Sequence, residues 1–163
     1  MLVRLSCFLL CIMGLPQAET NQTMPPQILG TWVVHRQIPT KTISCWSKED
    51  AQKLLGSEIQ YSDKIFRWSN TTVEKPAVGS RTVTAQQFHD ENSGIGPRGT
   101  EITLQELGIR DDSVTEVEIQ HSPAHLFAET SEIPGDDVIV KNAATIVFSV
   151  CNTYFEARRV HNK

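Results

Sequence analysis

The chain has little of what membrane proteins and nucleic-acid-binding proteins need. Its 15 Lys and Arg residues are outnumbered by 19 Asp and Glu residues, which gives a net charge of −4 at pH 7, and no run of like charges occurs. Nucleic acids and anionic membrane surfaces favour clustered Lys and Arg. Beyond residue 18 no segment is apolar for long enough to anchor in a bilayer. The sequence therefore predicts neither a nucleic-acid partner nor a membrane anchor.

The one long apolar run lies at the start of the chain. Arg4 precedes an almost uninterrupted apolar stretch from Leu5 to Leu15, and Ala18 is followed by polar residues. This pattern is typical of a secretory signal peptide, and the run is too short for a stable membrane span. We expect residues 1–18 to be removed and residues 19–163 to form one secreted domain, extracellular or periplasmic.

Cysteine is scarce, which limits how it can be used. Cys7 and Cys11 fall in the predicted signal, so Cys45 and Cys151 are the two cysteines of the secreted domain. Two cysteines in an exported protein most simply pair, and no C-x-x-C or Cys/His spacing suggests a metal site or a reactive thiol. Polymer theory assigns a disulfide closing so long a loop ~4–5 kcal/mol.

Catalytic and metal-binding motifs are also missing. No G-x-S-x-G occurs, so no catalytic residue is predicted and an enzyme is the less favoured class. His121 and His125 have a metal-ligand spacing, but Pro123 between them disfavours the helix that would align them. Residues 90–101 partly match a calcium loop, yet Ile95 stands where glycine is needed. We expect no metal and no cofactor.

Alternating apolar residues and turn residues predict seven to nine strands. The predicted strands are 28–38, 58–61, 65–68, 73–83, 114–121, 137–140, 145–150 and 154–160. Ser47 and Gly56 suit the two ends of a short helix, and residues 85–108 are the least regular part, with two helical turns at most. The expected fold is mainly β: an antiparallel, closed or nearly closed barrel with one or two short helices, a sandwich being the alternative.

Gly30-Thr31-Trp32, at the head of the first predicted strand, resembles the G-x-W signature of lipocalins and their calycin relatives. In that family the tryptophan plugs the closed end of an eight-stranded barrel, and a basic residue after the last strand lies across its ring. The resemblance gives Trp32 a structural role and assigns the basic partner to Arg158 or Arg159. It covers the two ends of the chain, and no Thr-Asp-Tyr, the family's middle signature, occurs. The pattern also resembles uncharacterised exported bacterial proteins.

The resemblance implies a secreted lipocalin-like binding protein for a small apolar ligand. Phe66, Trp68 and Phe148 are expected to line its cavity, with Tyr61 and His121 as polar tips. An interior filled by its own side chains is equally compatible with the alternating pattern.

A second hypothesis is a secreted protein-interaction factor, inhibitor-like, that uses the loop 88–99 to contact another secreted protein. A hydrolase is less favoured. Asn21 and Asn70 begin N-glycosylation sequons, which matter where the source glycosylates secreted proteins.

Overall fold

A computed structural model describes residues 20–21, 23–92, 102–120 and 132–160. In this part of the chain the strands form one antiparallel sheet, accompanied by two short helices. The strands are β1 (Thr20–Asn21), β2 (Gly30–Ile38), β3 (Glu58–Ser62), β4 (Ile65–Trp68), β5 (Thr71–Glu74), β6 (Ala77–Thr84), β7 (Ser113–Gln120), β8 (Asp137–Asn142), β9 (Thr145–Val150) and β10 (Thr153–Arg159); the helices are α1 (Lys48–Lys53) and α2 (Ala85–Asn92).

The strand order is β1-β6-β7-β8-β9-β10-β2-β3-β4-β5. Most neighbours follow one another along the chain, but β10 returns to pair with β2, from Tyr154 opposite Ile38 to Arg159 opposite Trp32. The sheet therefore curls into a half-barrel that is open beside β5 rather than closed. The prediction of a mainly β, antiparallel, barrel-like fold is confirmed.

The local boundaries follow from particular residues. Ser47 is the N-cap of α1, its hydroxyl accepting a hydrogen bond from the Asp50 backbone N–H at 3.1 Å, as the sequence predicts. The predicted strand 73–83 is instead two strands, because Lys75 adopts a left-handed conformation (φ 49°) and Pro76 follows it. The predicted loop 85–108 begins as α2.

The concave side of the half-barrel is filled by a core to which β2–β4 and β6–β10 all contribute. Large aromatic rings occupy this space, and five of them are at most 1 % exposed: Trp32, Tyr61, Phe66, Phe148 and Phe155.

Trp32 closes one end of this core. Its ring is fully buried, and the indole N–H donates to the carbonyl of Ile28 at 2.7 Å. The guanidinium carbon of Arg159 lies 4.2 Å from the ring centroid, which is a cation–π contact. Arg158 lies outside this contact, with Nε 3.7 Å from a Glu156 carboxylate oxygen.

Gly30 leaves the space that the Arg159 side chain occupies. Arg159 donates hydrogen bonds to the carbonyls of Leu29, Gln27 (2.5 Å) and Ala143 (2.9 Å). A Cβ on Gly30 would stand 3.1 Å from the Arg159 guanidinium, and Gly30 has φ +119°, a conformation that L side chains rarely adopt. Glycine at this position allows Arg159 to reach the tryptophan ring.

Cys45 and Cys151 form a disulfide, with Cα atoms 5.4 Å apart. The bond joins the segment after β2 to the turn before β10, so it ties the same two strands that Arg159 ties at their other end.

The convex side of β6–β10 carries a second core, covered by α2 and by the segment 102–109. Its buried residues are Ile38, Val83, Phe88, Ile102, Leu104, Leu107, Ile109, Val114, Ile139, Val147 and Tyr154. The sheet therefore has protein on both faces along half its width. No helix among the described residues is long and apolar enough to cross a membrane.

Replacing Arg159 by alanine should lower the free energy of unfolding by about 2–3 kcal/mol, since one cation–π contact and charge-assisted hydrogen bonds to backbone carbonyls are lost together. Urea denaturation followed by tryptophan fluorescence measures the change. Arg158→Ala, which removes the same charge from the neighbouring, exposed position, is the control and should change stability by less than about 0.5 kcal/mol. Equal effects of the two substitutions would contradict the assignment.

Candidate functional site

A pocket of about 190 Å³ lies between the convex face of the sheet and α2. Charged groups and apolar groups both line it, and five of the sheet's strands contribute. The lining residues are Arg81, Phe88, Glu91, Asn92, Glu116, Asp137, Ile139, Phe148, Ser149 and Tyr154.

Strand register brings the floor of the pocket together. Arg81 on β6 stands opposite Glu116 on β7, which stands opposite Ile139 on β8. Directly paired residues in an antiparallel sheet project from the same face, so these three side chains form a row across the convex side. Asp137 lies two positions before Ile139 and shares that face, and Tyr154 on β10 pairs with Ser149 on β9.

The wall opposite the floor is α2, which starts directly after β6. The Thr84 hydroxyl accepts from the Gln87 backbone N–H at 3.2 Å, and the Gln87 side chain accepts from the Thr84 N–H at 3.0 Å. This reciprocal capping box fixes where the helix begins. Phe88, 2 % exposed, then packs into the second core, and Glu91 follows it by three positions, on the same side of the helix.

Arg81 links the sheet to α2 by forming ion pairs with a residue on each. It donates to Glu116 at 2.9 Å and to Glu91 at 2.5 Å and 3.3 Å. The hydrogen bond to Glu91 raises the pKa of the Arg81 guanidinium, and Glu116 adds to the effect. The Glu116 side chain is 12 % exposed, whereas the Arg81 and Glu91 side chains are more exposed. The ion pairs of Arg81 therefore extend from the protein surface to the pocket floor.

Asp137 is the carboxylate that Arg81 does not neutralise. Asp137 is exposed to solvent, and desolvation by the protein on its pocket side raises its pKa from 3.8 to about 7. The negative charges of Glu116, Asp136 and Glu118 act in the same direction, while Arg81 opposes them. Among the pocket's lining residues, three carboxylates therefore stand beside one guanidinium.

Tyr154 contributes a neutral hydroxyl. Burial, together with the charges of Asp137 and Glu116, raises its pKa to about 12. The phenol therefore stays protonated at physiological pH and presents an aromatic ring with a polar tip to the pocket.

The predicted ligand-binding residues lie mostly on the other face of the sheet. Tyr61 and Phe66 are buried in the concave core, their rings 5.5 Å apart, and the Tyr61 hydroxyl donates to the Gly135 carbonyl at 2.7 Å. Trp68 is half-buried against the same core. Phe148 packs on Phe155 there and also lines the pocket. His121 lies outside the described residues.

Sequence reasoning missed Arg81, Glu116, Asp137 and Tyr154. Glu116 alternates with the buried Val117 along β7, a pattern that by itself indicates a solvent-facing side chain, whereas α2 covers part of that face. A signal was present in the neighbouring strands: Val138–Val140 and Ile146–Phe148 are uninterrupted apolar runs, which indicate strands buried on both faces.

Comparison with protein-family models, with curated proteins and with solved structures finds no match to this chain.

Replacing Asp137 by asparagine should stabilise the protein above pH ~7 and make little difference near pH ~4. Because the folded-state pKa of about 7 exceeds the ordinary value of 3.8, the folded chain binds the extra proton. The stability that Asp137 contributes is therefore complete below pH ~4 and lost as the pH rises through ~7. The gain in the variant should be about 1 kcal/mol at most, since the side chain reaches solvent.

Chemical denaturation at a series of pH values measures this difference. Asp63→Asn, the same substitution in the exposed β3–β4 turn, is the control. Parallel stability curves for the wild-type and Asp137→Asn proteins would show that Asp137 does not titrate as described.

Proposed function

We propose that the protein is a secreted, lipocalin-like binding protein that holds a small ligand in the pocket between α2 and the sheet. The ligand is small and carries a positive charge. The observation that carries the proposal is the pocket itself, in which three carboxylates and one guanidinium lie together.

The charge of the pocket argues for a cation. Arg81 already engages Glu91 and Glu116, so the negative charge of Asp137 has no comparable cation beside it among the pocket residues. A raised carboxyl pKa means that the ionised form lacks stabilisation. An ammonium group bound at Asp137 would stabilise the ionised carboxylate through a charge-assisted hydrogen bond.

The size and walls of the pocket limit the rest of the ligand. A volume of about 190 Å³ equals that of roughly six liquid waters. It is smaller than the ~300–1,000 Å³ pockets that hold drug-sized ligands, so it encloses only a small molecule or a small part of a larger one. Phe88, Ile139 and Tyr154 line the pocket but are almost wholly buried, so the surface that a ligand would meet is mostly polar.

The position of this site differs from the one expected from the sequence. An apolar ligand inside the concave core would have to compete with the buried rings of Tyr61, Phe66 and Phe148. The pocket on the convex face needs no such displacement.

The remaining expectations stay predictions. The disulfide is compatible with an extracellular location. Of the loop proposed for protein interaction, residues 88–92 belong to α2, where Phe88 is buried, and residues 93–99 lie outside the described chain. A hydrolase remains less favoured than a binding protein.

Benzylamine should bind more tightly than its neutral counterpart benzyl alcohol, as measured by isothermal titration calorimetry. Asp137→Asn should weaken benzylamine binding by about 10- to 100-fold, the effect of losing one charge-assisted contact of ~1.5–3 kcal/mol. In the wild-type protein the affinity should rise as the pH increases through ~7, because the cation binds the deprotonated carboxylate. Glu74→Gln, an equal charge change on the exposed strand β5, is the control and should leave binding unchanged.

Equal binding of the amine and the alcohol, or full benzylamine affinity in Asp137→Asn, would contradict the proposal. A loss of binding on replacing Trp68 by leucine, without an effect of Asp137→Asn, would return the site to the concave side.

A further inference from the structure

We propose that Asn70 is an N-glycosylation site and that its glycan covers the open edge of the sheet at β5. The proposal rests on the predicted export of the chain and is independent of the ligand pocket, which lies on the convex face of β6–β10.

The position of Asn70 suits the modification. Asn70 and Ser69 form the two-residue turn between β4 and β5, which the pair Trp68 and Thr71 closes, and Ser69 adopts a left-handed conformation (φ 50°). The turn projects both residues into solvent, and Thr72, which completes the sequon Asn70-Thr71-Thr72, is also exposed. A transferase can therefore reach the acceptor amide and the hydroxyl in the folded chain.

The reaction requires a lipid-diphosphate-linked oligosaccharide as co-substrate. The Asn70 amide nitrogen forms a bond to the anomeric carbon of the first sugar, and the bond from that carbon to the diphosphate oxygen breaks. The amide loses one proton, and the lipid diphosphate leaves.

The edge that the glycan would cover is the end of the sheet. Among the strands of the described residues, β5 is last in the order and pairs with β4 alone. Three of its four side chains are exposed, those of Thr71, Thr72 and Glu74. An edge strand presents unpaired N–H and C=O groups that can pair with another chain, and proteins commonly shield such edges. A sugar chain attached one residue before β5 begins is positioned to do so.

The second sequon differs in its surroundings. Asn21 lies in β1, where its backbone pairs with Val78 of β6. A glycan at Asn21 would be attached to β1, which pairs with β6 and not with β5. Asn21→Gln therefore provides a background in which Asn70 can be tested by itself.

The test is secretion of the full chain, with its own N-terminus, from cultured eukaryotic cells. In the Asn21→Gln background we compare Thr72→Ser, which keeps the sequon, with Thr72→Ala, which destroys it. Mass spectrometry of the intact protein and of the Asn70 peptide measures occupancy. We expect one glycan on the Thr72→Ser protein and its loss in Thr72→Ala. Sedimentation velocity should then show that Thr72→Ala shifts toward dimers and larger species.

Asn70→Gln, which also removes the glycan but keeps Thr72, should behave as Thr72→Ala does. An unmodified Asn70 in the secreted Thr72→Ser protein would overturn the proposal, as would retention of the chain inside the cell without a glycan. Identical sedimentation of the glycosylated and unglycosylated proteins would overturn it as well.

Discussion

The pairing of β2 with β10 is the constraint on which the rest of the molecule depends, because it brings together strands from opposite ends of the chain. Arg159 secures one end of this ladder by lying over Trp32 and donating to three backbone carbonyls. The Cys45–Cys151 disulfide secures the other end, assisted by a 2.5 Å hydrogen bond between the Ser44 and Thr153 hydroxyls. A cation–π contact and a disulfide therefore stabilise the β2–β10 pairing, whose formation costs much chain entropy because the two strands are far apart in sequence.

Because the sheet curls, its convex side becomes a separate surface with its own layer. Segment 102–109 is fixed there by Lys141, whose ammonium donates to the Leu107 carbonyl at 3.2 Å and to the buried Glu156 at 3.1 Å. Burial acts to raise the pKa of Glu156, but hydrogen bonds from Arg36 and Lys141 outweigh it and hold that pKa below its ordinary value. Glu156 is thus a buried charge with two cationic partners, whereas Asp137 is exposed and lacks a comparable cation among the pocket residues. This contrast distinguishes the candidate site from a structural ion pair.

The sequence predicts the elements of the fold well where the pattern is local. Alternation in β7, the apolar hairpin of β8 and β9, and the Ser47 cap all depend on neighbouring residues, and each appears in the structure. The contact of Trp32 with Arg159, one of the two basic residues to which the resemblance assigned it, is the longest-range prediction found in the structure.

The candidate site could not be predicted in this way, because it depends on where α2 packs on the convex face of the sheet. The alternation of Glu116 with Val117 is typical of a solvent-facing residue. Glu116 lines the pocket because α2 packs beside it. The open edge at β5 likewise depends on pairing between distant strands, since Lys75 and Pro76 could have formed a turn within a closed barrel.

A double-mutant cycle between Trp32 and Arg159 tests the central claim most directly. Unfolding free energies are measured for Trp32→Leu, which removes the aromatic face, for Arg159→Ala and for the double variant. If the guanidinium stabilises the fold through the indole, the two substitutions should be coupled by ~1–2 kcal/mol. Additive effects, within ~0.5 kcal/mol, would show that Arg159 and Trp32 act separately and that their contact does not hold the two ends of the chain together.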